Sequence, residues 1–156
     1  MPKSTELTAD RVAAAYDALM SLDRDRALEY WTEDVRFQMP GNHHQAGWHE
    51  GLDAYLASTA KLIEACGGVM KSETLDVLVD AGKGITLDVY RISGKRGHAP
   101  EGVSSPYDFL AIEGAHLLRW RDGRVYEGRG GLFGDGATRA NLWWSPVGDD
   151  GRRTGI

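Results

Sequence analysis

The sequence has a single cysteine, Cys66, and this scarcity excludes an internal disulfide framework and a zinc site built from several cysteines. It contains no apolar run near the roughly eighteen residues that a membrane-spanning helix requires. Basic residues form no stripe, and 18 of them against 23 acidic ones give a net charge of −5. Nucleic acids and anionic membranes are therefore not expected as partners.

The chain also lacks internal repeats, linker-like segments and, at its start, the apolar core of a secretory signal. Its 156 residues are the size of one ordinary domain. We predict a single domain over residues 1–156, with frayed ends at 1–6 and 147–156. A cytoplasmic location is expected by default.

Helical periodicity dominates the first half of the sequence. The predicted elements, in order, are a helix over 7–21, a short helix over 23–31, a strand over 35–39, a loop over 41–51 and a helix over 52–65. The last helix carries its apolar and core-forming residues on one face, namely Leu52, Tyr55, Leu56, Thr59, Leu62 and Ile63.

Alternating apolar residues dominate the second half, as is typical of strands with one buried face. A bend or bulge is predicted at Gly114. The predicted elements, in order, are strands over 69–79 and 85–92, a polar loop over 93–106, a strand over 107–120, a second hairpin arm through 133 and a helical or irregular piece over 137–143.

A tight hairpin is predicted at Asp122-Gly123, because this dipeptide separates two apolar-rich runs. Side chains alternate along a strand, so His116, Leu118 and Trp120 should share a face of the first arm. On the second arm, one face should carry Tyr126, Gly128 and Gly130, and the other Val125, Glu127 and Arg129. The glycines indicate either strand curvature or open volume for a bulky substrate.

Helices followed by long strands with tight turns predict an α+β domain with an antiparallel sheet. The whole order of elements resembles the nuclear transport factor 2-like fold, in its SnoaL-like polyketide cyclase and ketosteroid-isomerase-related branch. The resemblance is carried by Asp-Val-Arg-Phe-Gln-Met-Pro-Gly (34–41), Gly-Trp-His-Glu-Gly (47–51) and Arg-Trp-Arg-Asp-Gly-Arg-Val (119–125), and spans about residues 8–144.

This resemblance implies a cone-shaped α+β barrel, whose curved mixed or antiparallel sheet wraps around N-terminal helices and encloses an apolar pocket. It also implies a homodimer. We predict a small-molecule substrate and no cofactor. Fold alone does not fix the reaction. In the aldol cyclases of the family, a histidine precedes the last hairpin and a catalytic aspartate follows on its second arm.

His116 matches that histidine, whereas the position of the aspartate falls on Gly130. The Arg-x-Asp pair of limonene-type epoxide hydrolases corresponds here to Asp88-Val-Tyr90. Either another group serves as the base, or the protein only binds its ligand.

The predicted catalytic residues are His116, Asp88 and Tyr90. Histidine titrates near neutral pH and suits proton transfer. Asp88 and Tyr90 share a strand face about 7 Å apart, where an enclosed carboxylate could act as a base and a phenol could bind a developing enolate oxygen. The alternative is a solvent-facing sheet surface.

The predicted substrate-binding residues are His44, Trp48, Tyr16, Trp120, Arg129 and Asp135. Arg129 requires a bulge near the glycines to face the pocket. Loop, turn and core positions are the ordinary alternatives for the others. The three histidines of segment 43–49 invite a metal site, but their spacing matches no known ligand motif, and no metal is predicted.

We therefore predict a cofactor-independent enzyme of secondary metabolism that catalyses cyclisation, isomerisation or dehydration of a polyketide-like or polycyclic molecule by acid–base catalysis. A non-catalytic small-molecule-binding or accessory protein is the alternative. An epoxide hydrolase-like or metal-dependent enzyme is the third possibility.

Overall fold

The computed structural model describes residues 5–67, 69–96 and 108–145. In these ranges the chain forms four helices and six strands. They are α1 (Ala9–Met20), α2 (Arg24–Leu28), β1 (Trp31–Met39), β2 (Gly47–Glu50), α3 (Leu52–Ala65), β3 (Met70–Asp80), β4 (Ile85–Lys95), β5 (Phe109–Arg121), β6 (Arg124–Leu132) and α4 (Gly136–Trp144).

The strands form one sheet in the order β2-β1-β6-β5-β4-β3. Strands β1 and β6 run parallel, and every other neighbouring pair in this order is antiparallel. The sheet is curved and unclosed, and α1 and α3 pack with it around a core that includes Trp31, Phe37 and Leu118. The predicted α+β class, with a curved mixed sheet wrapped around N-terminal helices, is confirmed.

The short helix predicted over 23–31 ends earlier, at Leu28. Its start is fixed by Asp23, whose carboxylate accepts hydrogen bonds from the backbone of the first turn. Trp31 instead begins β1, because it pairs with Val125 and its buried indole N–H donates to the carbonyl of Ala15 at 2.8 Å. Tertiary pairing thus overrides the local helical pattern here.

Two predicted loops contain strand. Residues 47–50 of the first loop form β2, which pairs antiparallel with β1 from Arg36↔Glu50 to Met39↔Gly47. In the second loop, β4 continues through Lys95. Most of the rest of that loop, and the predicted frayed ends except residues 5 and 6, lie outside the described residues.

The hairpin at Asp122-Gly123 is confirmed, since both residues adopt the positive φ (52° and 74°) of a type I′ turn. The predicted faces of the second arm were wrong at one point, since Val125 does not share the face of Glu127 and Arg129. A register shift beside Trp120 leaves Tyr126 as an extra residue, so the buried Val125 pairs with Trp120. A bend or bulge was predicted at Gly114, and the β4–β5 pairing contains no bulge there, since it is regular along its whole length.

Helix α4 packs on β5 and covers a second cluster that contains Cys66, Leu110 and Trp143. Cys66 is buried, and this burial raises the pKa of its thiol.

None of the helices in the described ranges is long and apolar enough to cross a membrane.

Candidate active site

A cavity lies between the concave face of the sheet and helices α1, α3 and α4. Its empty space amounts to about 860 Å³, counted out to its open mouth. Most of the lining is apolar, and it includes three flexible methionines, Met20, Met39 and Met70. Such a cavity, apolar with a few polar groups, is the usual form of a small-molecule site.

The predicted catalytic residues meet at the wall of this cavity. Asp88 on β4 and His116 on β5 are direct partners in the sheet register. His116 Nδ1 lies 2.8 Å from Asp88 Oδ2, and the hydroxyl of Tyr16 on α1 donates to Asp88 Oδ1 at 3.2 Å. Since the carboxyl group is only 1% exposed, these two contacts satisfy both of its oxygens away from water.

Aromatic rings hold the imidazole of His116 in place. Tyr90 stacks on it with ring centroids 4.0 Å apart and planes 4° apart. Tyr16 lies 5.2 Å away, and Phe37 approaches edge-on at 5.5 Å. With Nδ1 bound to Asp88, the other ring nitrogen, Nε2, has no hydrogen-bond partner in the part of the chain that the structure describes.

This arrangement defines the chemistry that the site can perform. An ionised Asp88 only accepts hydrogen bonds, so it fixes the proton of a neutral imidazole on Nδ1 and leaves the lone pair on Nε2. A base of this kind takes a proton at Nε2, and the carboxylate then stabilises the imidazolium that forms.

Three tyrosines near the pair can serve as hydrogen-bond donors. Burial, followed by the charge of Asp88, raises the pKa of Tyr16, Tyr55 and Tyr90 above its ordinary value. Their hydroxyls therefore stay protonated at neutral pH and can donate hydrogen bonds.

The position of the family's aspartate, Gly130, pairs with His116 from the other neighbouring strand, β6. A Cβ at Gly130 would lie 2.8 Å from Cδ of Pro40, so the proline ring fills the space that a side chain would need. Phe37 similarly fills the space beside Gly128. Of the two alternatives for the glycines, open volume is therefore excluded at Gly128 and Gly130.

Arg129 and Trp48 lie on the outer face of the sheet, away from the cavity. The Arg129 side chain is 55% exposed and 3.5 Å from Glu127, and its guanidinium lies 5.3 Å from the Trp48 ring. The bulge that would turn Arg129 inward is absent, because the β5–β6 pairing is regular from Glu127 to Leu132 and Arg129 pairs with Leu117, next to His116.

Three more of the predicted binding residues lie outside the cavity lining. His44 is exposed, with its ring 5.4 Å from that of Trp144, which does line the cavity. Asp135 is exposed just before α4 and makes no side-chain cap. Trp120 is buried in the core, where its N–H donates to Thr86 Oγ1 at 2.8 Å.

His43 lines the cavity, whereas His44 does not. From the sequence, His43 was considered only as a ligand of a possible metal site. Its Nε2 donates to the carbonyl of Pro40 at 3.2 Å, and its Nδ1 accepts from the backbone of Gln45 at 3.1 Å. Burial lowers the pKa of His43 to about 4. Among the described residues, no group of three or more His, Cys, Asp and Glu could hold a metal ion.

Tyr55 also lines the cavity, although helical spacing indicated only a core position. Periodicity separates the inner from the outer face of a helix, but a packed core and a cavity wall give the same pattern. No sequence signal distinguishes the two here.

The model of the SnoaL-like domain matches residues 12–128. The chain belongs to this family. Comparison with the curated proteins gives no significant match. The solved structure of Bal32a, from a soil-derived mobile gene cassette, is similar with a TM-score of 0.71 and 25% identity, over 86% of this chain and 95% of that one.

Two further solved structures share the fold of this SnoaL-like domain. A putative SnoaL-like polyketide cyclase from Jannaschia sp. CCS1 has a TM-score of 0.64 and 19% identity, over 94% of this chain and 97% of that one. An NTF2-like protein from Burkholderia xenovorans LB400 has a TM-score of 0.64 and 18% identity, over 85% and 93%. The suspected superfamily is thereby confirmed.

Proposed function

We propose that this SnoaL-like protein is a cofactor-independent enzyme of secondary metabolism that moves protons on a small, largely apolar carbonyl compound of polyketide-like or polycyclic type. The proposal rests on the 2.8 Å contact between His116 Nδ1 and Asp88 Oδ2 at the wall of an apolar cavity. The compound class is inferred from likeness to a protein named a putative polyketide cyclase.

In the first step, Nε2 of His116 accepts a proton from a carbon next to the substrate carbonyl. The electron pair of the broken C–H bond passes into the carbonyl and forms an enolate. Asp88 stabilises the new imidazolium, and the hydroxyl of Tyr90 donates a hydrogen bond to the oxygen that gains charge.

In the second step, the imidazolium returns its proton. Delivery to another carbon of the enolate completes an isomerisation, and delivery to a departing β-hydroxyl group releases water. When the enolate attacks a second carbonyl of the same molecule, delivery to the resulting alkoxide completes a cyclisation. Protons and electrons balance in all three reactions without a redox partner.

The test measures exchange of the α-protons of 2-tetralone in D₂O by NMR. Wild-type protein is expected to exceed the buffer rate, and His116→Gln to lower the enzymatic rate by about 10²-fold or more. His49→Gln is the matched control, since His49 lies on β2 with Nε2 2.8 Å from the Gln45 carbonyl, away from the cavity. Exchange at the buffer rate in wild type, or an unaffected His116→Gln variant, contradicts the proposal.

The second candidate is a non-catalytic small-molecule-binding or accessory protein. It is favoured by Gly130, where the aldol cyclases that the chain resembles carry a catalytic aspartate and Pro40 occupies the space here. This candidate predicts that 2-tetralone binds in the cavity, that its α-protons exchange at the buffer rate, and that His116→Gln leaves the affinity unchanged.

A further inference from the structure

Tyr55 packs firmly between aromatic rings, yet no residue that the structure describes pairs with its hydroxyl. The residue is 4% exposed, its ring stacks on Phe37 with centroids 4.4 Å and planes 9° apart, and it meets the edge of Trp31 at 5.4 Å. Across the described ranges, the Tyr55 hydroxyl has no hydrogen-bond partner. Its oxygen keeps some accessible surface, and Tyr55 lines the cavity.

Tyr90 has the same property. It is 5% exposed and lines the cavity, and its hydroxyl likewise has no hydrogen-bond partner among the described residues. Its oxygen also keeps some accessible surface.

The polar atoms of other buried aromatic side chains are hydrogen-bonded. The indole groups of Trp31, Trp120 and Trp143 donate to Ala15, Thr86 and Asp108 at 2.8, 2.8 and 3.2 Å. Buried polar groups are generally paired in folded proteins. Two tyrosine hydroxyls of one cavity, neither paired with a described residue, are therefore available to donate a hydrogen bond to a ligand.

The charge of the cavity restricts that acceptor. None of the described residues that line it is a lysine or an arginine. Asp88 lies directly behind His116 and Tyr16. A carboxylate on the ligand would meet no lysine or arginine among these lining residues and would approach the buried carboxyl group of Asp88, which is unfavourable at low dielectric.

We propose that Tyr55 is a substrate-binding residue that, together with Tyr90, donates hydrogen bonds to one uncharged oxygen, a ketone or phenol oxygen, on an otherwise apolar ligand. The identification of this oxygen with the reacting carbonyl rests on the proposed function. The proposal assigns a role to a helix residue outside the His116, Asp88 and Tyr90 group, and it names the charge state of the substrate.

The test compares three probes of the same ring size: 2-naphthol, naphthalene and 2-naphthoate. Affinities are measured by quenching of tryptophan fluorescence. Wild-type protein is expected to bind 2-naphthol about 10-fold more tightly than naphthalene, and 2-naphthoate most weakly. Tyr55→Phe is expected to weaken 2-naphthol by about 5- to 10-fold and to change naphthalene by less than about 2-fold.

Tyr126→Phe is the matched control, because Tyr126 packs under the Arg121 guanidinium at 4.8 Å and does not line the cavity. Equal weakening of 2-naphthol and naphthalene by Tyr55→Phe would assign Tyr55 to packing alone and overturn the proposal. A wild-type protein that prefers neither 2-naphthol over naphthalene nor 2-naphthol over 2-naphthoate would overturn it as well.

The assay is independent of catalysis, so the two proposals can fail separately. A protein that binds 2-naphthol through Tyr55 but exchanges no proton of 2-tetralone keeps this inference and loses the enzymatic function. The reverse result, exchange that depends on His116 with no effect of Tyr55→Phe on 2-naphthol, removes Tyr55 from the site.

Discussion

Asp88 and His116 face each other in register across β4 and β5, with Oδ2 and Nδ1 2.8 Å apart. His116 lies between two register partners, Asp88 on one side and Gly130 on the other. In the aldol cyclases that the sequence resembles, the catalytic aspartate is at the position of Gly130. Here the carboxylate next to the histidine comes from the opposite neighbouring strand.

Replacing Asp88 with Asn tests this pairing. The amide has no charge to stabilise the imidazolium and can donate to Nδ1, which would move the imidazole proton to Nε2. We expect kcat for 2-tetralone exchange to fall by about 10²- to 10⁴-fold with little change in KM. Asp76→Asn, at an exposed position of β3, is the control. An Asp88→Asn variant with wild-type kcat would remove Asp88 from the mechanism.

Restoring the aspartate at residue 130 is expected to destabilise the protein. The new Cβ would lie 2.8 Å from Cδ of Pro40 and 3.3 Å from the Gln38 carbonyl oxygen. Gly130→Asp should therefore lower the free energy of unfolding by about 1–3 kcal/mol, as overpacking usually does. Combination with Pro40→Ala should recover part of that loss. Urea unfolding of both single variants and the double variant measures the coupling, and strict additivity would contradict the steric explanation.

Removing the Tyr16 hydroxyl should affect both stability and turnover. Tyr16→Phe leaves Asp88 Oδ1 without its 3.2 Å donor. We expect a loss of about 1 kcal/mol in the free energy of unfolding. Because Tyr16 acts through Asp88, we also expect a fall of about 3- to 10-fold in kcat at unchanged KM. A rise in KM alone would instead indicate direct contact between Tyr16 and the substrate.

His43 should make stability depend on pH. Burial lowers the pKa of His43 from 6.5 to about 4 in the folded protein, so the unfolded chain binds more protons between these values. The stability that neutral His43 contributes is fully present above about pH 6.5 and is lost as the pH falls towards 4. We expect a loss on the order of 1 kcal/mol between pH 7 and 4.5, less than the full shift implies because the ring borders the open cavity.

Urea unfolding at pH 7 and 4.5 measures this loss, and His43→Gln should show a smaller decline over the same interval than wild type. The same decline in both proteins would show that other groups cause it. His44 and His49, whose charges oppose protonation of His43, are the groups to vary next.

Local patterns predicted most of the elements. The run from Leu52 to Ala65 is helical as expected, because its apolar spacing and the glycine that follows it are local signals. The Asp122-Gly123 turn is likewise encoded by two residues that tolerate positive φ. The predictions at Trp31 and at residues 47–50 were wrong, because both segments become strand only through pairing with distant strands.

The site was predictable to a smaller extent. Strand alternation placed Asp88 and Tyr90 on one face, and the family resemblance indicated His116. Neither predicted that Asp88 contacts His116. Arg129 pairs with Leu117 and Trp48 pairs with Gln38, and both side chains lie on the outer face of the sheet. Which face of the sheet is concave has no signal in the sequence. Tyr55 was missed because a cavity wall and a packed core share one periodicity.

The sequence by itself determined the α+β class, the hairpin and the kinds of side chain available for proton transfer, since turn chemistry and side-chain periodicity are local. The tertiary structure decided that Asp88 lies next to His116, because the register between β4 and β5 makes these two residues direct partners. It also decided which hydroxyls remain unpaired in the cavity, because that depends on contacts between α1, α3 and the concave face of the sheet.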